Sequence, residues 1–293
     1  MHGYAMGVRR PVRIDPPPLE LRSRRFDWGS RSYVMGIVNA TPDSFSGDGL
    51  TDPDDLAAHA ERLWLAGADL LDIGGESTRP GYLPIDESVE LGRVLPAIRA
   101  IRLRCPLAPI SIDTYKPGVA RAACAAGADA INSVWGAPDE LLDVAAEFAV
   151  PIVAMHNQVG TQYDGDVVDS VIAFLLDCVE RALARGIARE RIWLDPGIGF
   201  GKTADHNIAV LQNVSRIVAL GYPTLIGWSR KSTIGKLTGE DAHLRLFGTT
   251  AANVLAVVGG VDVVRVHDVA AASQALRVAD ATLRDWRPAG WVG

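Results

Sequence analysis

From Tyr33 onward the chain alternates two hydrophobic patterns. Short apolar runs, among them YVMGIV, LLDIGG, PISID, AINSV, PIVAMH, IWLD, TLIGW and DVVRVH, carry almost no polar face. Such runs suit parallel strands covered on both sides. Between them lie longer segments with apolar residues three and four apart, the spacing of amphipathic helices. These predict helices over about 53–67, 86–104, 117–126, 138–148, 167–185, 206–220 and 241–258, with a last one ending near Arg284. Asp52 stands as N-cap of the first, with Pro53 at its first helical position. Eight strands and eight helices in strict alternation predict a closed α/β architecture, a (β/α)8 TIM barrel, over an open doubly wound sheet, which generally has fewer strands. Three partly similar segments, AGADLLDI, AGADAINS and GGVDVVRV, each join a helix-ending glycine to the next strand. Residues 1–25 are expected to be an N-terminal extension, and 26–288 a single barrel domain. The stretch around Pro16, Pro17 and Pro18 limits any strand there to a sheet edge.

The pattern has a second regularity, which concerns chemistry. IWLDPGIGFGKT, residues 192–203, delivers Asp195 from an apolar strand into a glycine-rich loop. Other runs end at or near Asn39, Asp113, Asn132, His156, Lys231, Arg265 and His267, and Glu76 and Arg79 follow LLDIGG. A barrel brings all of these to one mouth, at the C-terminal ends of its strands. Each also has an ordinary explanation. Asp195 and Asn132 suit turn residues bonding their own loops, Asp113 suits a helix N-cap, and lysines and arginines suit solvated surfaces. Against this, two carboxylates and a carboxamide together can read the donor edge of a nitrogen heterocycle, whose buried polar groups demand partners.

Lys231, Arg265 and His267 follow strands seven and eight, where these barrels usually bind phosphate. The GKT of residues 201–203 suggests a nucleotide P-loop, but Pro196 occupies the position that motif needs for glycine. Phe200 then reads as an apolar wall for a flat ligand. Asn39, Thr41, Asp43 and Ser44 form an oxygen-rich loop suited to a Mg2+ ion that keeps waters and rides on a phosphate. Segments 39–46 and 76–81 are long βα loops and candidate lids. His156 is either core or ligand, and no HExxH or repeated His/Cys spacing points to zinc.

Composition narrows the classes further. Hydrophobic residues make up 48% and charged residues 22%, with a formal net charge of -6. That balance excludes a generally basic nucleic-acid or membrane binder. Three cysteines without metal spacing suit reduced thiols in a cytoplasmic protein. MHGYAMGVRRPVR lacks the apolar core of a signal peptide. The longest apolar stretch, 251–266, is interrupted by Gly259, Gly260, Asp262 and Arg265, so no membrane span is expected.

Taken in series, VMGIVNATPDSFSGDG, DIGGESTRPG, SIDTYKPGVA, DPGIGFGKT, IGWSRKSTIGK and VRVHDV resemble the blocks of the dihydropteroate synthase family, over about residues 26–284. The resemblance implies condensation of 6-hydroxymethyl-7,8-dihydropterin diphosphate with 4-aminobenzoate, yielding 7,8-dihydropteroate and pyrophosphate. It implies a pterin held by Asp113, Asn132, Met155, Asp195 and Lys231, and a diphosphate held by Asn39, Arg265 and His267. Mg2+ would bridge the diphosphate, with Asn39 as its ligand from the protein. Thr78, Arg79, Pro80, Phe200 and Ser232 would enclose the aminobenzoate. Asp113, Lys231, Arg265 and His267 would carry the catalysis, through a dissociative reaction without a protein nucleophile. A homodimer is implied as well.

Three departures stand out. Ser133 replaces the Asp that usually follows the pterin-binding Asn, Thr233 replaces a large apolar residue, and the MHNQVGTQYDGD region is short. They raise the prospect of an altered response to sulfonamide analogues of aminobenzoate. The competing expectations are a methyltetrahydrofolate-to-corrinoid methyltransferase, which needs no diphosphate site, and a non-catalytic pterin-binding paralogue.

Overall fold

The computed structural model describes residues 14–41, 50–77 and 83–292. It opens with a hairpin of β1 (Leu19–Leu21) and β2 (Arg24–Phe26), which pair antiparallel as a separate two-stranded sheet. The parallel strands follow: β3 (Tyr33–Asn39), β4 (Leu70–Gly74), β5 (Ile110–Asp113), β6 (Ala130–Ser133), β7 (Ile152–Met155), β8 (Ile192–Asp195), β9 (Leu225–Ile226) and β10 (Val263–Val266). Their lateral order is β8-β7-β6-β5-β4-β3-β10-β9. A parallel bridge between Leu194 and Thr224 joins the two ends, helped by the Leu194 amide donating to the Pro223 carbonyl at 2.8 Å. The expected barrel is therefore the observed fold.

The helices are α1 (Pro53–Leu65), α2 (Glu87–Arg104), α3 (Pro117–Ala125), α4 (Asp139–Glu147), α5 (Val167–Ala184), α6 (Ala204–Gln212), α7 (Val214–Val218), α8 (Ser232–Thr238), α9 (Leu246–Val258) and α10 (Val269–Leu283). Asp52 caps α1 as expected, its carboxylate accepting from the Asp54 and Asp55 amides. Two expectations needed revision. The stretch read as one helix over 206–220 starts earlier, at a Thr203–His206 capping box, and breaks at Asn213 into α6 and α7. The SRKST turn leads into a short helix, α8, which stops at Gly239 in the left-handed region, with φ 78°. Both pieces are too short for periodicity to register.

Two apolar layers explain why the strands are buried on both faces. An outer cluster fills the space between strands and helices, including Val38, Ile73, Ile112, Ile131 and Leu194. An inner cluster fills the barrel floor and includes Tyr33, Met35, Leu70, Val153, Trp193, Leu225 and Val263. The hairpin closes that floor from below. Phe26 packs on Tyr33 with ring centroids 4.8 Å apart, and Trp28 meets Trp193 edge-on at 5.2 Å. Phe26, the last residue of β2, thus belongs to a hairpin that packs on the barrel floor.

Because side chains alternate across a strand, the inward positions of each strand change character along its length. Trp193 on β8 serves the floor, and Asp195, two residues on, lines the mouth. Val263 on β10 likewise gives way to Arg265. Strand register sets Asn39, Gly74, Asp113 and Asn132 side by side in one row. Among the described residues no helix is long and apolar enough to cross a membrane.

Candidate active site

A cavity of about 480 Å3 opens at the C-terminal ends of the strands. Its wall contains ten of the residues singled out in the sequence: Asn39, Asp113, Asn132, Met155, Asp195, Phe200, Lys231, Ser232, Arg265 and His267. Thr78, Arg79 and Pro80 lie outside the described residues, as do Asp43 and Ser44. Thr41 and Glu76 also reach the wall.

Acceptors gather on one side. Asp113 is held through Oδ2, which accepts from Arg265 Nη2 at 2.7 Å, while its Oδ1 has no partner among the described residues. This is not the N-cap arrangement, since Lys116 occupies that position of α3. Burial pushes the Asp113 carboxyl up to about 7, against the pull of Arg265 and with the help of Asp72. Asp195 does serve its own turn, accepting from the Gly197 amide at 2.7 Å through Oδ1. It also lines the cavity, so the turn and ligand roles of this carboxylate are compatible. Burial raises it to about 6.

The basic residues Lys231, Arg265 and His267 share this wall. Lys231 Nζ lies 4.1 Å from the centroid of the Phe200 ring, a cation–π contact that orients both groups. His267 Nδ1 lies 2.8 Å from Ser229 Oγ, and its amide donates to the same hydroxyl, so Ser229 fixes the ring from two directions. Burial works against the Arg265 charge, but Asp72 and Asp113 outweigh it and hold the guanidinium protonated.

Several residues that position this wall escaped the sequence reading. The Gly197–Gly201 loop passes so close to β7 that a Cβ on Gly197, at φ 70°, would collide with the His156 carbonyl oxygen. Lys202, dismissed with the P-loop, is buried behind the loop. Its Nζ meets His156 Nδ1 at 2.8 Å and donates to the Gly197 and Phe200 carbonyls, both at 3.2 Å. Three acceptors match the three N–H groups of an ammonium. Burial nevertheless pulls the ammonium down to about 7, with Asp195 acting to raise it and Lys231 to lower it. His156, depressed to about 3 by burial and by Lys202, is a neutral core residue.

On the far side of the loop, the Gly199 amide donates to Asn207 Oδ1 at 2.8 Å, and Asn207 Nδ2 donates to Thr233 Oγ1 at 2.9 Å. Thr233 therefore acts behind the cavity wall. At the root of the 78–82 segment, Glu76 accepts from Tyr115 at 2.9 Å and from Lys116, which also bonds the buried Glu90 at 2.6 Å. Ser133 is buried, and its hydroxyl has no partner among the described residues.

Among the described residues no three His, Cys, Asp or Glu side chains cluster with metal-binding geometry. Asn39 lines the same cavity as Arg265 and His267, and its carboxamide oxygen is of the type that a Mg2+ ion takes alongside phosphate and water oxygens.

The sequence profile of pterin binding enzymes matches residues 35–267. A dihydropteroate synthase of Synechocystis is 45% identical over 280 residues, covering 92% of this chain and 96% of the relative. The structure of Xanthomonas albilineans dihydropteroate synthase with 4-aminobenzoic acid is similar at a TM-score of 0.84 and 45% identity, covering 91% of this chain and 98% of that one. A protein described as inactive dihydropteroate synthase 2, from Mycobacterium tuberculosis, is also similar, at 40% identity over 274 residues, covering 89% of this chain and 85% of that protein. By profile, sequence and fold, the chain belongs to the pterin-binding enzyme family, among the dihydropteroate synthases.

Proposed function

We propose that the chain condenses 6-hydroxymethyl-7,8-dihydropterin diphosphate with 4-aminobenzoate, releasing pyrophosphate and forming 7,8-dihydropteroate. The observation that carries this reading is that one cavity brings together the acceptors Asp113, Asn132 and Asp195 and the basic residues Arg265 and His267. An amino-pyrimidine ring edge matches the first, and a diphosphate matches the second. Met155 supplies an apolar face for the ring.

The carbon–oxygen bond between the pterin methylene and the diphosphate breaks with its electron pair leaving on the phosphate oxygen. Arg265, His267 and Asn39 would stabilise the charge that develops there. Mg2+, held by Asn39 and the diphosphate, would add Lewis-acid neutralisation of that charge. The Asp113 carboxylate stabilises the cationic methylene, and Lys231 fixes the ring against Phe200. The amine nitrogen of 4-aminobenzoate then forms the new carbon–nitrogen bond and loses a proton. Phe200 and Ser232, with Thr78, Arg79 and Pro80 of the adjoining loop, would enclose the aminobenzoate.

A homodimer is part of this reading. Phe247, Leu255 and Leu244 stand exposed on or next to α9, an apolar face suited to a second copy. So is a cytoplasmic setting, supported by three buried free cysteines.

One assay separates the alternatives: pyrophosphate release measured with each substrate alone and with both. The synthase requires both. A corrinoid methyltransferase would release none, and a non-catalytic paralogue would bind pterin without turnover.

A further inference from the structure

Asp72 is fully buried in the middle of β4, one inward step below the row that ends in Asp113 and Asn132. It does not reach the cavity wall. Its Oδ2 nevertheless takes two donors, Arg265 Nε at 2.6 Å and Asn132 Nδ2 at 2.9 Å. The second contact spans β5, because β4 and β6 are not neighbours. The plain explanation is a counter-ion for Arg265. Asp113 already supplies one, at 2.7 Å from Nη2, and a counter-ion role leaves the bond to Asn132 unexplained.

A carboxamide has a donor end and an acceptor end of nearly equal size, and only its partners decide which way it faces. A carboxylate beside a guanidinium offers acceptors alone, so it binds the amide nitrogen of Asn132. The carbonyl Oδ1 is then the end offered to the ligand. We infer that Asp72 is a positioning residue for ring recognition: it locks Asn132 with its acceptor toward the cavity and so selects rings that present N–H donors there. Asp113 Oδ1, without a partner among the described residues, and the Asp195 carboxylate extend the same acceptor row. An oxo group in place of a ring donor would meet oxygen against oxygen.

This inference rests on the pterin reading, and its test keeps the two apart. Asp72→Asn lets position 72 offer either an N–H or a carbonyl, so Asn132 is free to turn. The probe is 6-hydroxymethylpterin, which lacks the diphosphate and reports ring binding alone, titrated calorimetrically against the full-length protein. The wild type should bind it, D72N about tenfold more weakly, and N132A more weakly as well. The double variant should bind no worse than N132A within about twofold, because Asp72 acts through Asn132. The KM for 4-aminobenzoate should stay within about twofold of wild type in D72N, which a general loss of structure would not allow. Should D72N fold poorly by circular dichroism, Asp72→Ser provides the same series with an uncharged hydroxyl. Undiminished pterin affinity in the folded variant overturns the inference, as does a D72N loss that persists in full on the N132A background. A wild type that does not bind the pterin overturns the functional reading instead.

Discussion

Arg265 donates to Asp113 through Nη2 at 2.7 Å, so the cation expected to hold the diphosphate is bonded to the carboxylate expected to hold the pterin. The two charges that the reaction separates, a cationic methylene and an anionic leaving group, thus face a pair already in contact. Asp113→Asn keeps an oxygen for Arg265 but removes the charge that stabilises the methylene. Turnover should fall at least about a hundredfold, within the range seen when one electrostatic stabiliser is removed. The melting temperature should stay close to wild type. A variant that remains active in the pyrophosphate assay would remove Asp113 from the proposed mechanism.

The same pair sets a pH dependence. Burial raises Asp113 to about 7 and Asp195 to about 6, both from an ordinary 3.8. The reaction needs Asp113 ionised, so kcat/KM for the pterin substrate should rise with pH and level off above about 7. For stability the sign is opposite. A carboxyl that holds its proton more tightly when folded contributes fully below its unfolded value, and that contribution is lost as pH rises through 6 to 7. Asp195→Asn should therefore flatten the fall in melting temperature between pH 5 and 8. A rate profile flat from pH 5 to 8 would show that neither carboxylate titrates in the reaction.

Lys202 bears on how the glycine-rich loop keeps its shape. Lys202→Met leaves His156 Nδ1 and two carbonyls without their donor, and unpaired buried groups cost roughly 1 to 3 kcal/mol each. The loop carries Phe200, so the KM for 4-aminobenzoate should rise several-fold more than that for the pterin substrate. Equal effects on both would mean that Lys202 supports the barrel as a whole. Steady-state kinetics with each substrate varied in turn separates the outcomes.

Lys202 also shows what the sequence could and could not reveal. Eight apolar runs ending in polar residues made the barrel and most of its mouth legible, because strand alternation and barrel geometry fix which end of a strand meets the cavity. Asp113, Asn132 and Asp195 were found on that basis. Asp72 and Lys202 were not, because their meaning lies in contacts across other elements: Asp72 over an intervening strand to Asn132, and Lys202 from one loop to His156 on another. Within LLDIGG an aspartate breaks the apolar run without marking an end, and GKT invites comparison with a motif that its spacing excludes. Before Tyr33 only edge strands could be expected, and the pairing of β1 with β2 was not legible, since three-residue strands carry too little alternation.

The contacts of Thr233 have a measurable consequence. Its hydroxyl accepts from Asn207, whose carbonyl holds the Gly199 amide beside Phe200. Thr233→Val keeps the volume and removes the acceptor. Asn207 then loses one anchor, and the loop that walls the aminobenzoate side is held by fewer bonds. The KM for 4-aminobenzoate and the inhibition constant of a sulfonamide analogue should both rise, by about three- to tenfold and in parallel, because both ligands would lean on the same wall. Pterin affinity, assigned to Asp113 and Asn132, should change by less than about twofold. Titrating the variant with substrate, sulfonamide and pterin in turn checks all three. If the sulfonamide constant moves while the aminobenzoate KM does not, Thr233 acts on the inhibitor by a route other than the Asn207–Gly199 chain.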